Sequence, residues 1–361
     1  MLPDSLPATE KTGYSLHEEF MQRCLELASL SAGYTAPNPM VGAVLVHEGR
    51  IIGEGYHEKF GGPHAEVNCI GSVKETDRLL IPASTLYVSL EPCAHHGKTP
   101  PCADLIIQQR IPSVVIGCRD PFPEVDGRGI EKLQSNNVEL IFPVLEEKAM
   151  ALNKRFFTFH LQKRPYVILK WAESANHKIA GRPGGRIQIS NEYSNRLVHK
   201  WRTEEAGILV GTQTALLDDP MLTARLWPGK NPARIVLDKT LRLPETLKVF
   251  DRSFPTIILN EKKENQSENL NYKKIGFREP FISEMLSALY SLNMLSILVE
   301  GGAVLLQSFI DSGLWDEARV ISGSQSEIAE GLSAPVLRNS VILKTENYYS
   351  DRIDYFLNDL T

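Results

Sequence analysis

The chain is short of cysteine. Its 361 residues contain five, at positions 24, 69, 93, 102 and 118. An odd and sparse set, in a chain that shows no export signal, does not make a disulfide framework. Paired cysteines in that setting suggest metal instead. Long apolar runs are also missing; none approaches the ~18 residues that a membrane helix needs. The opening MLPDSLPATEKTGYS has neither the basic nor the apolar stretch of a secretory leader, so it reads as a short disordered arm and the cytoplasm is the expected location. Excess positive charge is absent: the net charge is −5 and no basic stripe stands out. This removes the bulk electrostatic reason to expect a nucleic-acid partner. No internal repeat or low-complexity tract occurs. What remains, 42% hydrophobic and 23% charged, is the balance of an ordinary globular protein, and the length suggests two domains.

Hydrophobic periodicity gives the order of elements. Phe20, Cys24, Leu27 and Ser31 recur at helical spacing behind a capping box at Ser15 and Glu18, which predicts a helix over 16–31. Apolar runs at 40–46 and 51–56 predict a hairpin, 64–73 a helix, 85–92 a strand, 102–110 a helix, 113–118 a strand and 138–144 a late strand. This order implies a largely parallel sheet that begins with an antiparallel hairpin. Residues 146–165 read as one helix running into a break at Pro165, which separates a first domain, 15–160, from a second, 161–361. The second half alternates again: strands at 166–172, 206–212, 233–238, 256–260 and 296–300, and helices at 192–205, 283–294 and 301–313. Residues 181–185 read as a turn-rich loop, 211–225 as a polar loop and 261–274 as exposed polar chain. The whole is α/β.

The first chemical signal is HAE at 64–66 followed by LEPCAHHGKTPPC at 90–102. Zinc takes imidazole nitrogen and thiolate sulfur in a tetrahedron, and catalytic zinc keeps three protein ligands and one open position. His64, Cys93 and Cys102 would supply three. His64 and Cys102 both stand where a helix begins, and the positive helix end favours anionic ligands. Glu66, two residues from His64, is placed to take a proton from the attacking water and hand it to a leaving amine. H-x-E…P-C-x-x-C marks zinc nucleobase deaminases; here eight residues, not two, separate the cysteines. A structural zinc would want a fourth protein ligand, which His95 or His96 could provide. Taken singly, each part is ordinary, since lone histidines and buried cysteines are usually structural. Their order and placement at helix starts make them a site.

The second half is quieter. VEGGAVLLQSF (299–309) is a strand, two glycines and a helix, where backbone N–H groups can approach a phosphate. The full G-x-G-x-x-G fingerprint is absent, so a Rossmann domain is not supported.

The segments TAPNPMVGAVLV, GYHEKFGGPHAEVNCI, LEPCAHHGKTPPCADLII and DPFPEVDGRG resemble the deaminase half of the bifunctional riboflavin-biosynthesis deaminase–reductases, a family with the long insertion between its zinc cysteines. RPYVILKWAES, VHKWRTEEAGILVGTQTALLDDPMLTAR, NPARIVLD and LVEGGAVLLQSFIDSGLWDEARV resemble its reductase half. The resemblance implies a cytidine-deaminase-like N-terminal domain and a dihydrofolate-reductase-like C-terminal domain. It implies one zinc per chain on His64, Cys93 and Cys102, with Glu66 as proton shuttle. Substrate contacts would come from Asn38, His57, Glu91, His95, Lys98 and Arg128. The implied substrate is a diamino-hydroxypyrimidine carrying a phosphoribosylamino group, deaminated on the ring and then reduced by NADPH from ribosylamino to ribitylamino. For the reductase it implies NADPH contacts at Ala172, Gln188, Thr214, Asp218 and the run Gly302, Ala303, Val304, Leu305, Leu306, Gln307 and Ser308. Substrate contacts there would be Arg186, Arg202, Leu222, Arg225 and Glu300, with Lys170 and Asp218 beside the reacting carbon. It implies a dimer or tetramer, and neither a nucleic-acid nor a membrane partner.

Some positions depart from the family. Ser174-Ala175-Asn176-His177 stands where S-x-D-G is usual, Gln188-Ile189-Ser190 where Trp-Ile-Thr or Trp-Ile-Ser is common, and Ala206-Gly207 where Asp-Ala is common. Phe122 and Arg128 stand near positions more often Asn and Lys. These changes motivate an alternative in which only the deaminase turns over and the second half is a non-catalytic binding or dimerisation module.

Overall fold

The structure, a computed structural model, describes residues 13–94, 100–181, 187–323 and 327–360. The chain divides into two compact units, Met1–His160 and Leu161–Thr361.

The first unit is built on a five-stranded sheet. Helix α1 (Gly13–Ser29) leads into the hairpin β1 (Gly42–His47) and β2 (Arg50–Tyr56). Then come α2 (Ala65–Gly71), a 3-10 helix over Glu75–Ala83, β3 (Thr85–Leu90), α3 (Cys102–Gln108), β4 (Ser113–Cys118), α4 (Arg128–Ser135), β5 (Glu139–Ile141), α5 (Glu146–Leu152) and α6 (Lys154–Gln162). Strand order is β2-β1-β3-β4-β5; β1 runs antiparallel to both neighbours, and β3, β4 and β5 are parallel. The period of two along the strands feeds two cores. Ala43, Leu45, Leu86, Val88, Val114 and Ile116 face α2, α3 and α4 through Ala65, Cys69, Ala103, Ile106 and Leu133. Val44, Val46, Tyr87 and Val115 face α1 through Phe20, Met21, Cys24 and Leu27. Burial on both faces explains why these strands read as unbroken apolar runs.

Two expectations change here. Helix α1 starts at Gly13, ahead of the capping box, so that signature does not mark its start. The single helix expected over 146–165 is two, broken at Asn153 (φ −102°, ψ 21°), where the side chain bonds elsewhere instead of facing solvent.

The second unit has a ten-stranded sheet. Its elements are β6 (Tyr166–Ser174), β7 (Lys178–Ala180), α7 (Glu192–Glu204), β8 (Gly207–Gly211), α8 (Thr212–Asp218), β9 (Ala233–Leu237), β10 (Thr256–Asn260), β11 (Asn265–Ser267), β12 (Leu270–Lys274), α9 (Phe281–Ser291), β13 (Ser296–Gly301), α10 (Ala303–Ser312), β14 (Glu317–Gly323), β15 (Leu332–Ser333), β16 (Ser340–Tyr348) and β17 (Asp351–Asn358). The order is β11-β12-β10-β9-β8-β13-β6-β14-β17-β16, parallel from β12 to β14 and antiparallel at both edges; β7 and β15 form a separate pair. Alternate side chains again feed opposite faces: Val167, Leu169, Ile297 and Val299 pack with α9 and α10, whereas Ile168 and Leu298 pack with Val198 and Trp201 of α7.

Three stretches depart from expectation. Residues 212–218 of the expected polar loop are helix α8. The expected exposed chain at 261–274 supplies strands β11 and β12, in which Leu270 and Tyr272 are buried. The tail beyond residue 321, which carries no strong pattern, completes the sheet with the hairpin β16–β17. Among the described residues, no helix is long and apolar enough to cross a membrane.

Candidate functional site

The first site forms where α2 and α3 begin. His64 is the residue before α2, in extended conformation (φ −72°, ψ 165°), and its side chain does not cap the helix. Cys102 opens α3 behind Pro101, and Cys93 lies just beyond the end of β3. Cys93 Sγ is 3.6 Å and Cys102 Sγ 3.3 Å from His64 Nδ1. The three donor atoms lie within 4.8 Å of one another, with no other such cluster among the described residues. Zinc–nitrogen and zinc–sulfur bonds of about 2.0 and 2.3 Å at a tetrahedral angle put N and S about 3.5 Å apart, so the donor set fits zinc. The backbone N–H of Cys102 points at Cys93 Sγ, 3.4 Å away. The Cys102 thiol and His64 pull the Cys93 thiol down to about 4, while the Cys93 thiolate and burial push Cys102 well up.

Glu66 lies in the first turn of α2 and is only 3% exposed. Burial, then the charge of Cys93, raises its carboxyl above the usual range. His57 packs edge-on to His64 with ring centroids 5.6 Å apart. Its Nδ1 donates to Pro63 O at 2.8 Å, which leaves Nε2 to accept from Asn38 Nδ2 at 3.2 Å. Burial lowers the His57 pKa, so the ring is neutral and its tautomer is set by these two partners. Asn38, His57, His64 and Glu66 are thus brought together.

Glu91 is buried and fully engaged. Its Oε1 accepts from Gly129 N at 3.0 Å and Ile130 N at 3.3 Å, and its Oε2 from Gly127 N at 3.0 Å and Asp120 N at 3.4 Å. It clamps the 120–130 loop by backbone. Arg128, at the start of α4, is exposed. Asp120 carries no sequence signal of its own, yet burial pushes its carboxyl up to about 7 against a 2.8 Å bond from Phe122 N. His95, His96 and Lys98 lie outside the described residues.

The second site lies at the C-terminal ends of adjacent parallel strands, the edge where open α/β sheets bind ligands. Gly301 has φ +141°, a conformation open to glycine and strained for other residues. A Cβ on Gly302 would stand 3.1 Å from Thr214 Oγ1, so α8, the strand end and the start of α10 form a narrow cradle. The glycine backbone and the first turn of α10 fit a dinucleotide phosphate. Within 302–308, Leu305 and Leu306 are buried in the core, so they can offer only backbone. Gln307 is tied to Asp311 and to Val336 N. Ala172 is on β6, Gln188 is exposed, and Asp218 closes α8 on an exposed turn.

Beside this cradle is a charged cluster. Arg202 Nε and Nη2 grip Glu300 Oε1 and Oε2 at 2.7 and 2.6 Å, and Nη1 donates to Thr223 O at 2.9 Å. Lys170 Nζ lies 4.0 Å from Glu300 Oε2. Burial works against the Glu300 charge, but Arg202 and then Lys170 hold its carboxyl down to about 2. Burial lowers Lys170. Leu222 is buried at φ +52° and Arg225 is exposed beyond it. Arg186 lies outside the described residues. Two members were missed in the sequence. His199 stands one turn before Arg202 on α7, an i, i+3 spacing that could have flagged it, and burial followed by Arg202 and Arg225 holds it down to about 4. The Thr223 hydroxyl is buried with no hydrogen-bond partner among the described residues. At the departures from the family, Asn176 Oδ1 accepts from Ser174 Oγ at 2.7 Å while its Nδ2 donates to Ile328 O at 2.9 Å, a pairing an aspartate could not make. His177 takes φ +55° and bonds Glu173.

Residues 14–118 match the cytidine and deoxycytidylate deaminase zinc-binding region, and 165–325 match the RibD C-terminal domain. The riboflavin biosynthesis protein RibD of Aquifex aeolicus is 41% identical over 88% of this chain and 89% of its own. The Escherichia coli RibD is 33% identical over 83% and 85%. The crystal structure of a diaminohydroxyphosphoribosylaminopyrimidine deaminase/5-amino-6-(5-phosphoribosylamino)uracil reductase from Thermotoga maritima superposes with a TM-score of 0.87 at 36% identity, covering 96% of this chain and all of that one. With a zinc-fitting His-Cys-Cys cluster in one unit and a glycine cradle in the other, the chain belongs to the RibD family of bifunctional riboflavin-biosynthesis enzymes, a zinc-dependent deaminase joined to an NADPH-dependent reductase.

Proposed function

We propose the following division of labour within this bifunctional enzyme. The substrate is the diamino-hydroxypyrimidine that carries a phosphoribosylamino group. Zinc held by His64, Cys93 and Cys102 would supply the Lewis acidity that makes water a nucleophile near neutral pH. Glu66 takes a proton from the attacking water and gives it to the departing amine, so the ring C–NH2 becomes C=O and ammonia leaves. Its burial suits this role, because a carboxyl raised above the usual range holds a proton more readily than a solvent-exposed one while remaining able to release it. Asn38 and neutral His57 orient the ring. Glu91, fully used by four backbone donors, acts by shaping the 120–130 loop.

In the second unit NADPH would supply the hydride, received by the C1′ of the open-chain imine. Thr214 and the backbone of 302–308 would hold its phosphates, with Ala172, Gln188 and Asp218 as further contacts. Lys170, whose ammonium burial makes more acidic than usual and which stands beside Glu300, supplies the proton for the imine nitrogen. Arg202 and Glu300 hold the ribityl chain, and Arg225 and Arg186 take the phosphate, for which a guanidinium fork is suited.

One observation carries the reading: Glu66 is buried two residues from a three-donor cluster of zinc dimensions. Glu66→Gln tests it. The variant should keep its zinc, release ammonia about 10²–10⁴-fold more slowly, and oxidise NADPH normally when given the deaminated substrate. Undiminished ammonia release would remove Glu66 from the mechanism.

A further inference from the structure

We infer that Asn153, at the far end of the first unit in sequence, is a positioning residue for the deaminase. It acts by fixing the segment that presents Asn38. Asn153 is where the expected helix breaks into α5 and α6, and it is 3% exposed. Its side chain makes a two-point bond to one residue: Oδ1 accepts from Met40 N, and Nδ2 donates to Met40 O, both at 2.8 Å. An amide satisfying both backbone groups of one residue fixes that residue's position and also its orientation, as a rung of a sheet would.

Met40 sits between Asn38 and the start of β1. Other bonds anchor the segment on either side of Met40. Asn38 N donates to Thr35 O at 2.9 Å, closing a turn, and His57 N donates to Val41 O at 2.9 Å. Asn38 Nδ2 then reaches His57 Nε2 at 3.2 Å, and the His57 ring lies edge-on to His64. The path from Asn153 to the site is therefore short: one bidentate contact, two residues of backbone and one side-chain bond. Only a group that both donates and accepts, on a short stem, can make the Met40 contact. Aspartate, the same shape, would set an oxygen against the Met40 carbonyl.

This inference rests on the reading of Asn38 as a substrate-orienting group, and the experiment separates the two. KM and kcat for ammonia release are measured for Asn153→Asp, Asn38→Ala and the double variant. Zinc content and NADPH oxidation on the deaminated substrate report intact folding. Asn153→Asp should raise KM about tenfold with kcat changed far less, since a binding group displaced by a fraction of an ångström weakens substrate orientation. Zinc content and reductase rate should stay normal. The double variant should match Asn38→Ala alone, because both changes remove one contribution. An unchanged KM in Asn153→Asp, or effects that multiply in the double variant, would overturn the inference. A normal KM in Asn38→Ala would overturn the Asn38 reading and the role of Asn153 with it. If Asn153→Asp does not yield zinc-loaded protein, Asn153→Gln replaces it: the longer amide should give an intermediate KM, and a wild-type KM would count against the proposal.

Discussion

Burial raises a carboxyl unless its partners outweigh it, and this chain shows both outcomes. Glu66 and Glu300 are both deeply placed carboxylates. Glu66 is pushed up by burial and then by the Cys93 thiolate, whereas at Glu300 the grip of Arg202 and the approach of Lys170 outweigh burial and hold the carboxyl down to about 2. The first environment suits a group that exchanges protons and the second a fixed negative charge. His199 shows a third case. Burial, Arg202 and Arg225 hold it down to about 4 from an ordinary 6.5. Between those values the unfolded chain binds a proton that the folded chain does not. The contribution of His199 to stability is therefore complete above pH 6.5 and is lost as pH falls toward 4. Thermal unfolding of the wild type and of His199→Gln between pH 7.5 and 4.5 should show the wild type losing its midpoint more steeply through that window. Parallel curves would mean that His199 titrates alike in both states. The histidine shares an i, i+3 spacing with Arg202, but nothing else in VHKWR distinguishes a buried ring from an exposed one, so the spacing alone did not single it out. The zinc donors were visible because metal chemistry restricts both residue type and order.

At the scale of elements, the 120–130 loop depends on how closely its backbone can approach Glu91. A Cβ on Gly129 would stand 1.9 Å from Pro92 O and 3.2 Å from Glu91 Oε1. Gly129→Ala must therefore push the loop off the carboxylate, leaving buried N–H groups short of an acceptor at about 1–3 kcal/mol each. The expected result is a lower unfolding midpoint for the first unit and a weakened deaminase, with reductase activity intact; unfolding and ammonia release at wild-type values would show that the loop can shift at no cost. The same balance of side-chain and backbone bonding explains which elements were legible. Strands buried on both faces, such as β3, β4, β6 and β13, announce themselves as apolar runs. The break at Asn153 hid inside good helical periodicity, because its cause is a partner 113 residues away. Helix α8 has a single buried residue, Ala215, and so almost no periodic signal. Strand β12, paired with β11 and β10, buries only Leu270 and Tyr272 among polar residues, and β16 at the sheet edge is mostly exposed, so their strand character comes from pairing rather than from composition.

For the whole molecule, the described residues of each candidate site fall within a single unit. His64, Glu66, Cys93 and Cys102 belong to the unit ending at His160, whereas Lys170, Arg202, Thr214 and Glu300 belong to the unit beginning at Leu161. Each unit has its own buried clusters on both faces of its own sheet. Loss of one chemistry should then leave the other untouched, and two singly defective proteins should together carry out both steps. Glu66→Gln should remove the first step. Lys170→Met should remove the second while filling the same buried volume with an apolar stem. With the diamino substrate and NADPH, Glu66→Gln alone should release little ammonia and oxidise little NADPH. Lys170→Met alone should release ammonia at the wild-type rate with NADPH oxidation depressed. Mixed, they should oxidise NADPH after a lag, because the deaminated product must leave one protein and bind the other, and the lag should shorten as total protein rises. Ammonia release that fails in Lys170→Met would show that the deaminase needs an intact reductase site, and would contradict the assignment of each chemistry to its own unit.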